Sequence, residues 1–143
     1  MAELHLRIVT PDRTIVDRKV AGVRFQGVDG GYGILPNHAP LMTAIANAGE
    51  AEITELDGKK SSLFVSDGFA QVQNNVLTLV CEAGEFANEI DLARVKAAEA
   101  RAREKMAGLD RLSTEFLKAE ASLRKAMMRE LLARRVSGSG SLR

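Results

Sequence analysis

Residues 76–101 read VLTLVCEAGEFANEIDLARVKAAEAR, and within them the chain changes its repeat. Val76 to Cys81 is a short apolar run of strand length. From Asp91 onward Leu92, Val95, Ala98, Ala102 and Met106 recur every three or four residues, which is the period of an amphipathic helix. Composition turns at the same place. Beyond Asp91, glycine is confined to Gly108 and the final residues and proline is absent, while Ala, Arg, Lys and Glu dominate. These residues lose little on entering a helix.

Upstream of this point the pattern is that of strands. Leu4, Leu6 and Ile8 share one face, as do Val23 and Phe25, and Phe69 and Val72 share another in broken register. Thr10-Pro11-Asp12, Gly30-Gly31, Asp57-Gly58 and Asn74-Asn75 punctuate the runs. Asp-Gly and Asn-Asn favour the positive dihedrals of tight hairpins, so Ile53 to Leu56 is expected to fold back onto Leu63 to Ser66. Many short strands in so few residues imply a small sandwich or barrel.

Downstream, a second helix follows a break at Gly108, with Leu112, Phe116, Ala119, Leu123, Ala126, Met127 and Leu131 as its apolar stripe. Asp91 is the expected N-cap of the first helix and Gly108 its stop. Asp110 or Ser113 caps the second. A connection this short makes the helices antiparallel neighbours. The fold class is therefore α+β: an N-terminal antiparallel β-sandwich or flattened barrel over residues 1–87, then a C-terminal antiparallel two-helix hairpin over residues 88–136. Residues 137–143, rich in Ser and Gly, are expected to be a disordered tail.

A chain of 143 residues supports one compact core with an appendage. No run approaches the roughly 18 apolar residues of a membrane span, and the first residues lack a signal-peptide pattern, so an unexported, soluble chain is expected. The single cysteine, Cys81, forms no internal disulfide and fits a buried position. Charge is unevenly placed. Residues 1–90 hold 7 Lys/Arg against 12 Asp/Glu, and residues 91–143 hold 13 against 7, so the helical part calls for an acidic partner. Arg111, Lys118, Lys125 and Arg129 lie close to one face of the second helix, with Arg124, Arg134 and Arg135 nearby. Phosphate-loop, zinc-protease and paired-cysteine signatures are missing. No catalytic or metal residue is assigned, and the two histidines, His5 and His38, read as structural.

The loop Gly33-Ile34-Leu35-Pro36-Asn37-His38-Ala39-Pro40-Leu41, stiffened by two prolines, closely resembles the GILPGHAPL-type signature of epsilon subunits of F-type ATP synthases. Three further segments match in order. Val9-Thr10-Pro11-Asp12 resembles the family's opening strand and turn, Val65-Ser66-Asp67-Gly68-Phe69-Ala70 its VSGGF segment, and Ile90-Asp91-Leu92-Ala93-Arg94 its IDxxR segment. The resemblance covers nearly the whole chain and implies a ten-stranded sandwich followed by two helices.

The family's function is then the expectation: a non-catalytic subunit of the proton-translocating rotor, peripheral on the cytoplasmic side of the cell inner membrane. Its sandwich binds the gamma subunit and rests on the c-ring, which puts Asp29, Tyr32, Pro36, His38 and Pro40 at the c-ring and stalk contact. Gly31 stands where many relatives carry glutamate, and Asn37 replaces a glycine, a mild change because asparagine tolerates left-handed backbone. The hairpin in the family extends to inhibit ATP hydrolysis by meeting the alpha and beta subunits. Lys118, Arg124, Lys125 and Arg129 are the matching inhibitory contacts to the acidic beta segment. No cofactor is required, but some bacterial members bind ATP as a regulatory ligand, and the corresponding residues are Glu85, Ile90, Asp91, Arg94, Arg101, Lys125 and Arg129. Val95 and Lys125 depart from that pattern, where ATP-binding members have alanine and arginine. An equal alternative makes Asp91 merely the helix cap, with Arg94 paired to it.

Two other readings compete. A nucleic-acid or ribosome-binding module would use the basic hairpin, although one Tyr and no Trp leave little for base stacking. A small hydrolase would need His38, Asp67 and Cys81 within hydrogen-bond reach of one another.

Overall fold

The computed structural model describes residues 2–141, with side chains for residues 2–136. The chain divides into two compact units, the first ending at Phe86 and the second beginning at Ala87.

Eight strands form the first unit: β1 (Leu4–Val9), β2 (Thr14–Val20), β3 (Gly22–Gly27), β4 (Gly30–Ile34), β5 (Leu41–Ile45), β6 (Gly49–Thr54), β7 (Lys60–Gln73) and β8 (Val76–Phe86). Their order is β2-β1-β8-β7-β5-β3-β4, with β6 joining β3 to β7. The pairings β3–β5, β5–β7, β7–β6 and β6–β3 close on themselves, which flattens the sheet into a barrel. All pairs are antiparallel except β1 with β8. The family resemblance implied ten strands. Eight suffice because β7 runs 14 residues, pairing with β6 through its first half and β5 through its second, while β8 follows it for 11.

Alternation decides which side chains enter the core. Leu4, Leu6, Ile8, Val23 and Phe25 are all buried, as their spacing required. The β6–β7 hairpin forms around Asp57-Gly58, but more tightly than expected: Ile53 faces Ser61, and Leu63 faces Ala51. Glu55 accepts from Gly58 and donates to Lys59 through the backbone, closing the turn within these residues. Asn74 and Asn75 turn β7 into β8 with φ 52° and 62°, the left-handed pair of a tight hairpin.

β7 does not keep one alternation. Leu63 and Val65 point into the core, and so do Ala70 and Val72, which lie on opposite parities. The change occurs at Asp67 (φ 47°) and Gly68 (φ 150°), while pairing with β8 continues from Ser66↔Ala83 to Gly68↔Cys81. A Cβ on Gly68 would lie 1.8 Å from the Val80 carbonyl oxygen, so only glycine fits. The irregularity therefore lies before Phe69. The expected shared face for Phe69 and Val72 is corrected: Val72 is in the core and Phe69 faces outward, 41% exposed.

The second unit holds a 3₁₀ turn (Ala87–Glu89), α1 (Leu92–Ala107) and α2 (Thr114–Ser141). Asp91 caps α1, its carboxylate accepting from the backbone N–H of Ala93 and Arg94, and Gly108 ends it. Ser113 caps α2 by accepting from Phe116 N–H at 3.1 Å, and Asp110 fastens the turn by accepting from Leu112 N–H at 2.9 Å. Lys96 near the start of α1 lies 3.2 Å from Glu130 late in α2, so the helices are antiparallel. Their seam is small-sided: Val95 and Ala102 on α1 meet Ala119, Ala126 and Ala133, spaced seven apart on α2. The expected α2 stripe is corrected at Leu112, Met127 and Leu131, which are exposed, whereas Leu132 is fully buried. Heptad spacing from Ala119 selects 126 and 133 and rotates Met127 and Leu131 outward. The expected tail, 137–143, lies outside the residues whose side chains are described.

Candidate functional site

The sequence-derived contact set in the first unit does not form one cluster. β4 occupies Gly30–Ile34, so what looked like a continuous loop from Asp29 to Leu41 contains a strand about 16 Å long. Asp29 and Tyr32 belong together: the Tyr32 hydroxyl donates to the Asp29 carboxylate, 2.9 Å from either oxygen, and its ring stacks on Phe25 with centroids 5.4 Å apart. Pro36, His38 and Pro40 lie beyond the far end of β4. There Asn37, at φ 66°, donates its N–H to the Asn75 side chain at 2.7 Å, and Asn75 in turn donates to the Glu3 carbonyl at 2.7 Å. His38 Nδ1 donates to the Ala39 carbonyl at 2.6 Å, and its backbone N–H to Leu35 at 3.2 Å. Two prolines and these bonds fix the loop. Gly31 has open space around it.

A surface that sequence reasoning missed lies on β5 and β7. Met42 is 63% exposed and Phe69 41%. Ala44 is directly opposite Phe69, and Met42 is opposite Gln71, so Met42, Ala44 and Phe69 share the outward face as direct and diagonal neighbours. Val28, 68% exposed, sits alongside, its N–H donating to the Ala44 carbonyl at 3.1 Å. Grouped exposed apolar side chains mark interaction sites. Its signal in the sequence was Leu41-Met42-Thr43-Ala44-Ile45, a run with apolar residues at both parities, which means both faces of the strand meet something other than water.

In the second unit a groove of about 810 Å³ runs between α1 and α2. Its floor is Ala98, Ala102, Gly108, Ala119 and Ala126, and its walls carry Arg101, Lys105, Lys118, Lys125 and Arg129, with Glu104 and Glu115. Small floor residues let solvent in between the helices, and the cations follow from their spacing: Arg101 and Lys105 lie one turn apart, as do Lys125 and Arg129. The groove gathers Arg101, Lys125 and Arg129 of the nucleotide set, and Lys118, Lys125 and Arg129 of the inhibitory set. Arg124 stands outside it, 3.4 Å from Glu120. Asp91 is engaged in capping, while Arg94 and Ile90 do not line the groove. Glu85 belongs to β8 of the first unit, opposite Phe64.

Other charged groups are structural. Lys96 and Arg134 hold the Glu130 carboxylate, Arg134 at 2.7 Å. The hydrogen bonds from Arg134, Glu99 and Lys96 pull its pKa down to about 2. Arg18 grips Glu55 with two nitrogens, at 3.1 and 2.8 Å, and these bonds lower the Glu55 pKa. Burial pushes the Cys81 thiol up to about 12, so it stays protonated inside the core. Asp67 accepts from Asn47 at 3.2 Å. A protonated, buried thiol leaves the hydrolase reading without a nucleophile. Among the described residues no group of His, Cys, Asp and Glu could hold a metal ion, and no helix is long and apolar enough to cross a membrane.

Comparison with known proteins fits this architecture. The family model described as ATP synthase, Delta/Epsilon chain, beta-sandwich domain matches residues 3–87, and that of the long alpha-helix domain matches residues 88–129. The chain is 47% identical over 103 residues to an ATP synthase epsilon chain of Lawsonia intracellularis, covering 72% of this chain and 76% of that one. It is 36% identical over 126 residues to the ATP synthase epsilon chain of Nitratidesulfovibrio vulgaris, covering 88% and 92%. A chain of the Euglena gracilis mitochondrial ATP synthase, in a cryo-EM structure of OSCP, F1 and c-ring, superposes with a TM-score of 0.78 at 24% identity, over 92% of this chain and 81% of that one. That last likeness concerns the fold alone. With matches running from residue 3 to residue 129, the chain belongs to the ATP synthase delta/epsilon family, alongside its bacterial epsilon chains.

Proposed function

We propose that the chain serves as the epsilon subunit in the central stalk of an F-type ATP synthase, a non-catalytic part of the rotor. The observation that carries this reading is the apolar surface of Val28, Met42, Ala44 and Phe69, whose grouping on one sheet face fits a lasting protein contact. We assign it to the gamma subunit. The c-ring contact falls to Asp29 and Tyr32 at one end of β4 and to Pro36, His38 and Pro40 at the other. The subunit is then held at the cytoplasmic face of the inner membrane by the complex, since no helix among the described residues is long and apolar enough to span it. The basic hairpin meets acidic segments of the alpha and beta subunits and restrains ATP hydrolysis, with Lys118, Lys125 and Arg129 as its contacts. ATP is a regulatory ligand rather than a substrate, and convergence of Arg101, Lys125 and Arg129 in one groove favours the phosphate end of that site.

The test uses an epsilon-depleted catalytic complex that retains gamma. Added full-length chain is expected to bind and slow ATP hydrolysis. Phe69→Asp places an unpaired charge in the apolar contact and should weaken binding about tenfold or more. Unchanged retention of Phe69→Asp would remove this surface from the stalk interface. Binding of the parent chain without inhibition would leave coupling as its role and remove the hairpin brake.

A further inference from the structure

Five methionines and one cysteine carry the chain's sulfur, and their exposure differs. Cys81 is buried, and its thiol, pushed up to about 12, stays protonated. Met106 and Met128 are half-buried and Met127 is 49% exposed, all three on the helices. Met42, the one methionine of the first unit among the described residues, is 63% exposed. It belongs to the apolar face assigned above to the stalk, two residues from Ala44 on β5 and diagonal to Phe69 on β7. Leucine or isoleucine would cover the same area there, and strands favour branched side chains. Methionine adds one property, a thioether that accepts an oxygen atom.

A peroxide completes that reaction. A sulfur lone pair attacks the nearer peroxide oxygen, and the S–O bond forms as the O–O bond breaks. The departing hydroxide takes the proton from the transferred oxygen, leaving sulfoxide and water. Sulfur is oxidised by two electrons and the peroxide is reduced by two. The product carries a strong dipole and an acceptor oxygen where the face had been apolar. Val28, Ala44 and Phe69 have no side-chain donor for it, and Gln71, directly opposite Met42, donates its amide N–H to Gln73 at 3.1 Å. An acceptor withdrawn from water into a contact without a committed donor is costly. We propose that Met42 is an oxidation site that gates assembly: a peroxide turns the exposed thioether of the free chain into a sulfoxide and shuts the apolar face to its partner, while in the assembled complex the contact shields the sulfur. The inference rests on the reading of this face as the gamma contact. It adds a reversible chemical control, since thiol-driven reductases return the sulfoxide to the thioether.

The test treats the free chain with hydrogen peroxide, removes the excess with catalase, and measures binding to the epsilon-depleted complex that keeps gamma, with peptide mass mapping to place the added oxygen. Met42 is expected to oxidise before Met106 and Met128, and the oxidised chain to bind about tenfold more weakly or worse. Sulfoxide reductases of both epimer specificities, with dithiothreitol, should restore binding. Met42→Leu should bind like the parent and keep its affinity after peroxide, and Met42→Gln, polar and of similar length, should show the loss without peroxide. In the preassembled complex Met42 should be protected. The sheet signal in circular dichroism should not change on oxidation; its loss would make oxidation a folding defect and refute the gate. Full binding of a chain carrying Met42 sulfoxide would overturn the gate and leave the stalk reading standing. A peroxide-induced loss in Met42→Leu equal to the parent's would place the effect on another sulfur and refute the site. Oxidation of Met42 in the complex as fast as in the free chain would remove this face from the contact, and failure of the untreated parent to bind would overturn the stalk reading and the gate with it.

Discussion

Gly68→Ala should be among the most damaging single substitutions available to this chain. A Cβ at that position would stand 1.8 Å from the Val80 oxygen, 2.8 Å from the Val80 carbonyl carbon and 3.1 Å from Cys81 Cα. All three are backbone atoms, so no side chain can swing aside. The residue also sits at φ 150°, a region essentially reserved for glycine, where a side chain costs about 1–3 kcal/mol. Relief of the clash requires β7 to pull away from β8 beside Gly68↔Cys81, with loss of one or two strand bonds at about 1 kcal/mol each. The other escape is to restore an ordinary strand through 67–68, which turns Ala70 and Val72 outward. Exposing Val72 alone costs about 1.5–3 kcal/mol. Either route totals about 2–5 kcal/mol, a large share of the 5–15 kcal/mol typical of a domain.

Gly31→Ala provides the comparison. It is the same chemical change on a strand of the same unit, with no atom within 4 Å of the added Cβ and no left-handed φ. It should be neutral or stabilising by up to about 1 kcal/mol through the unfolded chain. Urea unfolding followed by circular dichroism measures both. A Gly68→Ala midpoint within about 1 kcal/mol of the parent, or a similar loss for Gly31→Ala, would refute the assignment of the flip to Asp67-Gly68.

Asp91→Ala should destabilise α1 by about 1 kcal/mol through the lost cap, with Asp91→Asn largely restoring it; thermal unfolding separates this from any effect on ligand affinity. Glu130, held near pKa 2 by Arg134, Glu99 and Lys96, stabilises the hairpin above the ordinary carboxylate value. Because its folded pKa is depressed, this contribution is lost as pH falls from about 4.5 toward 2. Glu130→Gln should flatten that part of the acid profile of helicity, and superimposable profiles would refute the role. Cys81, with its thiol pushed up to about 12, should resist maleimide at pH 8 in the folded chain and react at once in urea; rapid native labelling would show that β8 opens.

Much of this organisation was legible from the sequence because periodicity carries it. The buried Leu4, Leu6 and Ile8, the cap at Asp91 and the stop at Gly108 all followed from local rules. Phe69 was misread because the break in β7 is made by two backbone dihedrals at Asp67 and Gly68, which shift the parity without altering the count of apolar residues. Met127 and Leu131 were misread because three alanines, weak hydrophobic signals one at a time, set the seam of the hairpin. Within the candidate site the cations could be found by charge, but their division between groove and outer face could not. Lys125 and Arg124 are adjacent in sequence and lie about 100° apart around α2, so only the packing of α1 distinguishes them. The apolar face of β5 and β7 was missed because a five-residue strand that is buried on one side and carries apolar residues on the other gives no alternation to detect.

The hairpin's alanine seam also bears on how a ligand could regulate it. Each alanine methyl contributes roughly as much as one buried CH₂, about 0.8 kcal/mol, so Ala102, Ala119, Ala126 and Ala133 together add about 3 kcal/mol to the seam, and Val95 about 1.5–3 kcal/mol more. Arg101, Lys105 and Lys118 oppose that closure across the groove. A polyanion bound there removes the repulsion and stabilises the closed hairpin in proportion to its preference for that state. At ten times its dissociation constant, a ligand specific to the closed form adds about 1.4 kcal/mol, comparable to nearly two of those methyls. A seam of leucines, each worth about 1.5–3 kcal/mol, would make the same ligand irrelevant to the equilibrium. Small side chains at the helix contact and unpaired cations along its edge therefore act together: the first keeps the attraction between the helices weak, and the second sets charge repulsion against it.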